Sequence, residues 1–174
     1  KVKQLYFIPS ENIDFREKED NVPYSELAEQ GFVEFCDGKL IDQEQIFHFI
    51  EDCMDFYDVQ QVNYDPAMSD RLVEKLENLG LECVQVDQYA RVLNSPLEDA
   101  ERLFYEQRIM FDNPLFLNVV VKMDFQGRKV PSKNQSKRKI DGFVAFLCAH
   151  KETMDQMIDV NEDDMDEYLD SIYR

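Results

Sequence analysis

The stretch from residue 59 to residue 86 constrains the fold most. VQQVNYDP mixes β-branched and aromatic residues and stops at Pro66, which reads as a strand. Ser69 then caps a predicted helix through Leu72, Val73, Leu76 and Leu79 that ends at Gly80, and LECVQV follows at once as a second strand. A strand, helix and strand joined by such tight links make a right-handed parallel unit. In open α/β sheets ligands gather at the carboxyl ends of such strands, and Asp65 lies at that end.

The rest of the chain fits the same class. Val2 to Ile8 reads as a strand halted by Pro9, and ENIDFREKEDNVP is too polar to bury much, which predicts a connecting loop. Tyr24 to Gln30 predicts a short helix ended by Gly31, and FVEF alternates as a strand into the turn CDGK. Between Asp42 and Tyr57 the apolar residues Ile46, Phe47, Phe49, Ile50, Cys53, Met54 and Tyr57 recur at spacings of three and four. A long amphipathic helix N-capped by Asp42 follows from that pattern. Pro96 to Met110 predicts a further helix, FLNVVVKMD a strand, and Lys139 to His150 a helix packing Ile140, Phe143, Val144, Phe146, Leu147 and Cys148. The expected fold class is α/β with a mixed sheet flanked by helices.

At 174 residues, 44% of them hydrophobic, the chain can fill one core and is expected to form one globular domain over residues 1–150. Residues 151–174 make an acidic tail in partial helical spacing, able to fray or to fold against a partner. Cys36, Cys53, Cys83 and Cys148 are widely spaced without a CxxC pair, so reduced buried thiols are expected rather than a zinc site or a disulfide frame. No apolar stretch has the length of a membrane span, and KVKQLYFIPS is too short in apolar residues for a signal peptide, which points to a cytosolic setting.

Charge supplies the functional clue. The chain carries a net charge of −18, yet between Phe125 and Ile140 it has six Lys or Arg and no Asp or Glu. The six are Arg128, Lys129, Lys133, Lys137, Arg138 and Lys139. A local phosphate track beside Asp141 is one reading, and a solvated basic loop is the plain alternative. Asp141 sits between Ile140 and Phe143, and a carboxylate there is costly to bury. The helix N-terminus offsets only ~0.3–1 kcal/mol, whereas a divalent cation would resolve the cost. The plain alternatives are a helix-start aspartate at Asp141 and an Asx turn before Pro66 at Asp65. Asp124 is a weaker candidate that reads as a hairpin-turn residue with Gly127. His48 and His150 have no visible Ser or Cys nucleophile, and the aromatic residues fall at core spacing, which argues against a hydrolase triad and a base-stacking platform.

Three segments in order, REKEDNVPYSELAEQGFVEF, VNYDPAMSDRLVEKLENLG and NVVVKMDFQGRKVPSKNQSKRKIDGFVAFLCAH, resemble the nuclease domain of the large terminase subunit of tailed phages. The similarity runs from about Tyr6 to His150. The resemblance implies a ribonuclease H-like fold and an endonuclease that cuts concatemeric viral DNA during genome packaging. It also implies metal carboxylates at the YDP strand end and the KIDG helix start, which are Asp65 and Asp141 here. Asp65 would bridge two Mg²⁺ or Mn²⁺ ions, favoured over zinc by oxygen-only ligands. Lys122, Arg128, Lys129, Lys133, Lys137, Arg138 and Lys139 would touch double-stranded DNA along its backbone. The implied partners are the terminase ATPase domain, the small subunit and the portal protein, in the cytoplasm of a host bacterium.

Two departures accompany the resemblance. The family's first strand, with its first catalytic aspartate, is expected upstream of Lys1, with Val2 to Ile8 corresponding to the second strand. No GxxxxGKS or GxxxxGKT occurs, so ATP hydrolysis is not expected of this stretch. The competing expectation is a non-catalytic α/β module that docks to another packaging component, such as the portal, through the acidic tail.

Overall fold

A computed structural model describes residues 1–66, 70–116, 119–132 and 139–154. The chain begins with β1 (Tyr6–Pro9), α1 (Ile13–Asp20), α2 (Tyr24–Glu29) and β2 (Val33–Cys36). β1 and β2 pair in parallel, with Tyr6 opposite Val33 and Pro9 opposite Cys36. The long helix α3 (Gln43–Phe56) leads to β3 (Gln61–Tyr64), α4 (Asp70–Asn78) and β4 (Glu82–Gln85). β3 and β4 are also parallel, as the strand, helix and strand reading requires. Next come α5 (Ala90–Tyr105), the antiparallel hairpin β5 (Val121–Met123) and β6 (Lys129–Pro131), and α6 (141–154).

The α/β class with parallel and antiparallel strands is as expected. Hydrogen bonding among the described residues divides the strands into three pairs, each its own two-stranded sheet. The isolated bridge between Val2 and Phe111 ties the start of the chain to the segment after α5.

Several local expectations need correction. ENIDFREKEDNVP is not simply a loop: it contains α1, bracketed by Asn12 and Asn21 in left-handed conformations, a backbone state that asparagine tolerates. α1 buries no residue, which is why its sequence lacks a helical apolar stripe. α5 starts at Ala90 rather than at Pro96, and it ends at Tyr105 rather than Met110. Pro96 sits inside it, where a proline removes a backbone donor at a cost of about 3 kcal/mol. Leu93, Leu97 and Ala100 offset that cost, because their stripe is at most 1% exposed and packs in the core. Gln107, at φ 57, ends the helix.

The strand expected over FLNVVVKMD shrinks to Val121–Met123, and Phe116 is instead a core residue with no exposure. Its ring lies 4.9 Å from Phe111, 5.7 Å from Phe143 and 5.1 Å from Phe146, centroid to centroid. Such pairs contribute about 0.5–1.5 kcal/mol each beyond area burial. α6 continues to residue 154, past the expected end at His150. The Ser69 cap and the tail beyond residue 154 lie outside the described residues. Asp42 caps α3 as expected, its Oδ1 accepting from the Glu44 N–H at 2.9 Å.

The apolar residues gather in two clusters. The larger joins α5 to α6 through Leu93, Leu97, Phe116, Phe143 and Leu147, and the smaller joins α2 to β2 through Tyr24, Leu27 and Val33. The start of α6 meets both, because Ile140 belongs to the first while Asp141 faces residues that surround the second.

Candidate functional site

The Ile140 carbonyl accepts from the Val144 N–H at 3.1 Å, which starts α6 and sets Asp141 in its first turn. Ile140 is 4% exposed and anchors that turn in the core. Asp141 therefore emerges at the positive end of the helix. The adjacent Gly142 is covered by the Tyr6 ring, since a Cβ built there would stand 1.8 Å from the Tyr6 Oη. Gln4 links the two, donating from Nε2 to the Gly142 carbonyl at 2.6 Å and accepting from the Tyr6 hydroxyl at 3.2 Å. Burial pushes the Tyr6 phenol up to about 12, and the negative charge of Asp141 adds to the shift.

Tyr24 completes this end of the site. It is 3% exposed and donates its hydroxyl to Asp20 Oδ2 at 2.9 Å. Burial raises its pKa first, followed by Asp20, with Asp141 acting in the same direction. Asp20 Oδ1 lies 3.5 Å from the Lys139 ammonium. Asp141, Asp20, Tyr6, Tyr24 and Lys139 all border one groove of about 1060 Å³ that also runs along β1 and α6.

Asp65 follows β3 directly, where the Val86 N–H donates to the Tyr64 carbonyl at 2.9 Å and holds the strand end. The Gln88 side-chain amide donates to Asp65 Oδ2. Burial pushes the Cys148 thiol of α6 up to about 11, and the negative charge of Asp65 adds to the shift. A smaller cavity of about 240 Å³ is edged by Gln88, Lys122 and Ile140. Of the two predicted carboxylates, Asp141 opens α6, and Asp65 at the end of β3 acts through its charge on Cys148 of the same helix. No group of three His, Cys, Asp or Glu able to hold a metal is gathered among the described residues.

Of the predicted DNA-binding residues, Lys122, Arg128, Lys129 and Lys139 are described, while Lys133, Lys137 and Arg138 lie outside the described residues. Arg128 pairs with Asp124 at 2.8 Å, and Asp124 Oδ1 accepts from the Gln126 and Arg128 N–H groups at 2.8 and 2.9 Å. That geometry makes Asp124 the hairpin-turn residue expected from sequence. Burial opposes its ionisation, but the Arg128 backbone and side chain hold its carboxyl below the usual range. The Lys129 N–H donates to Asn94 Oδ1 at 2.6 Å, and its ammonium pairs with Glu101. His150 stacks on Phe146 at 5.3 Å and meets Asp99 Oδ2 at 2.9 Å, a structural tie between α6 and α5.

Sequence reasoning missed Asp20, Tyr6, Tyr24 and Glu101. Asp20 sits in a run of charges that reads as solvated, and both tyrosines fall in segments read only as secondary structure. One cue was present: the glycine directly after Asp141, in a turn where every residue but proline forms a helix more readily.

The family described as terminase large subunit, endonuclease domain, matches residues 2–156. The chain belongs to that family. Its structure is similar to the crystal structure of the HK97 bacteriophage large terminase, with a TM-score of 0.76 at 21% sequence identity. That likeness covers 84% of this chain and 32% of the HK97 chain, so the terminase nuclease domain described here spans about a third of that protein's length. The fold is accordingly ribonuclease H-like. No curated protein matches the chain. Among the described residues, no helix of this terminase domain is long and apolar enough to cross a membrane.

Proposed function

We propose that this terminase domain hydrolyses phosphodiester bonds of double-stranded DNA with divalent cations held by Asp65 and Asp141, as part of cutting concatemeric DNA for packaging. The observation that carries the reading is the placement of Asp65 at the end of β3 and of Asp141 at the start of α6, with one cavity edged by both Gln88, which binds Asp65, and Ile140, which precedes Asp141. The donor set fits a hard cation, because both ligands are carboxylate oxygens and Mg²⁺ commonly keeps water and phosphate oxygens in its remaining positions. Holding a second ion would call for a further acidic ligand beside these two. When bound, the ions would activate water for attack at phosphorus and stabilise the leaving oxygen.

The chain's own groups do the rest. Tyr6 and Tyr24 stay protonated near Asp141, with their hydroxyls given to Gln4 and Asp20, so neither adds negative charge to the groove. The cations from Lys122 to Lys139 hold the DNA backbone and position it without reading bases.

Thermal unfolding with and without MnCl₂, beside nicking of supercoiled plasmid, tests the reading. A cation at a hundred times its dissociation constant stabilises the domain by about 2.7 kcal/mol. Asp65→Ala and Asp141→Ala are each expected to remove that gain and any nicking. A Mn²⁺ shift of the same size in both variants would show that these carboxylates hold no metal.

A further inference from the structure

Among the described residues, three cations of the basic stretch are held by carboxylates of this same chain. Arg128 is held by Asp124 in the β5–β6 turn, Lys129 by Glu101 on α5, and Lys139 by Asp20 at the end of α1. The three acids have different structural duties. Asp124 is built into its turn through two backbone N–H bonds, so its pairing with Arg128 follows from the hairpin. Glu101 approaches Lys129 from 28 residues away on another element, and its side chain stays 39% exposed. Asp20 offers one oxygen to Tyr24 and the other to Lys139, whose side chain is 62% exposed.

A carboxylate offers an ammonium group the same thing as a phosphate diester, an anionic oxygen acceptor. Resting on the reading that this stretch follows a DNA backbone, we infer that Glu101 and Asp20 are specificity-determining residues that stand in for phosphate at Lys129 and Lys139. A ligand gains either lysine only by displacing the carboxylate already there. Duplex DNA, with one charge per about 1.7 Å of helix axis, presents phosphates at both positions together, whereas a nucleotide or a scattered anion does not. The exchange is within reach because a solvent-accessible ion pair such as Glu101–Lys129 is weak, and because Lys139 stands 62% exposed at 3.5 Å from an Asp20 that is itself 14% exposed, so the carboxylates discriminate without sealing the track. The net charge of −18 works in the same direction by repelling polyanions that fail to engage the stretch.

Binding of a fluorescent DNA duplex in EDTA, over a salt series, tests the inference without any metal. Glu101→Gln should tighten binding by roughly 2- to 5-fold at low salt. Lys129→Met should weaken it, and in the Lys129→Met background Glu101→Gln should change binding no more than Asp55→Asn does. Asp55→Asn on α3 measures what removing any surface charge does, and the gain from Glu101→Gln must exceed it. Asp20→Asn should couple to Lys139→Met in the same way. A Glu101→Gln gain no larger than that of Asp55→Asn, or an excess over Asp55→Asn that persists without Lys129, would overturn the inference while leaving the DNA track in place. Equal binding by the wild type and Lys129→Met would remove Lys129 from the track, which would overturn the inference together with the reading beneath it.

Discussion

Gly142 shows how a neighbour can dictate a residue that the local backbone does not. In a helix glycine is less favourable than alanine by about 1 kcal/mol, so a glycine in the first turn of α6 must answer to something else. The Tyr6 ring is that constraint, because any Cβ would overlap its hydroxyl and ring carbons, the nearest three at 1.8 to 2.9 Å. Gly142→Ala is expected to destabilise the domain by about 1–3 kcal/mol in urea denaturation despite its better helix propensity. Adding Tyr6→Ala should reverse most of the added loss, and no loss in the single variant would mean that Tyr6 does not require the glycine. At this scale the strand end at Asp65 and the helix start at Asp141 were legible, but Asp141 is exposed, so the burial cost that singled it out in the sequence does not arise. Asp20 and Tyr24 were not legible, since nothing in the charged run around Asp20 says that it folds back toward residue 139.

Among the elements, α6 is the one whose placement decides the site, and Asp99 on α5 helps to hold it through His150 at 2.9 Å, while Arg102 of α5 itself pairs with the same carboxylate at 2.6 Å. Burial works against the Asp99 carboxylate, but hydrogen bonds from Arg102 and His150 prevail and hold its pKa below the usual 3.8. A depressed carboxyl stabilises the fold fully above 3.8 and loses that contribution as the pH falls through its folded value. Asp99→Asn is thus expected to cost about 1 kcal/mol at neutral pH, with the variant and wild-type stabilities converging in acid. Parallel curves from neutral to acid pH would assign the pair no role. The elements read correctly from sequence were those with a clean period: α3, and the unit of β3, α4 and β4. α1 escaped because it buries nothing, and the first turn of α5 escaped because Pro96 reads as a helix start.

For the whole molecule the governing quantity is charge. A chain at −18 with six cations concentrated between Phe125 and Ile140 should bind DNA weakly and in a strongly salt-dependent way. The Debye length is about 10 Å at 0.1 M salt, so the local stretch is felt at short range while the distant acidic surface is screened. Lys133→Glu with Lys137→Glu is expected to abolish retention on immobilised duplex at low salt. Unchanged retention would take both residues off the track. The α/β class was readable at this scale because strand and helix periods alternate along the chain. The division into three strand pairs was not, because the choice of partner strand depends on residues far apart in sequence.

Cys148 gives α6 a clock. Its thiol is 2% exposed and is kept protonated by burial and by Asp65, and only a thiolate reacts quickly with an alkylating reagent. While α6 stays packed the sulfur is out of reach, so the rate at which Cys148 is labelled in the folded protein counts how often the helix lifts from its seat. That helix begins at Asp141, and each lift would take the Asp141 carboxylate with it.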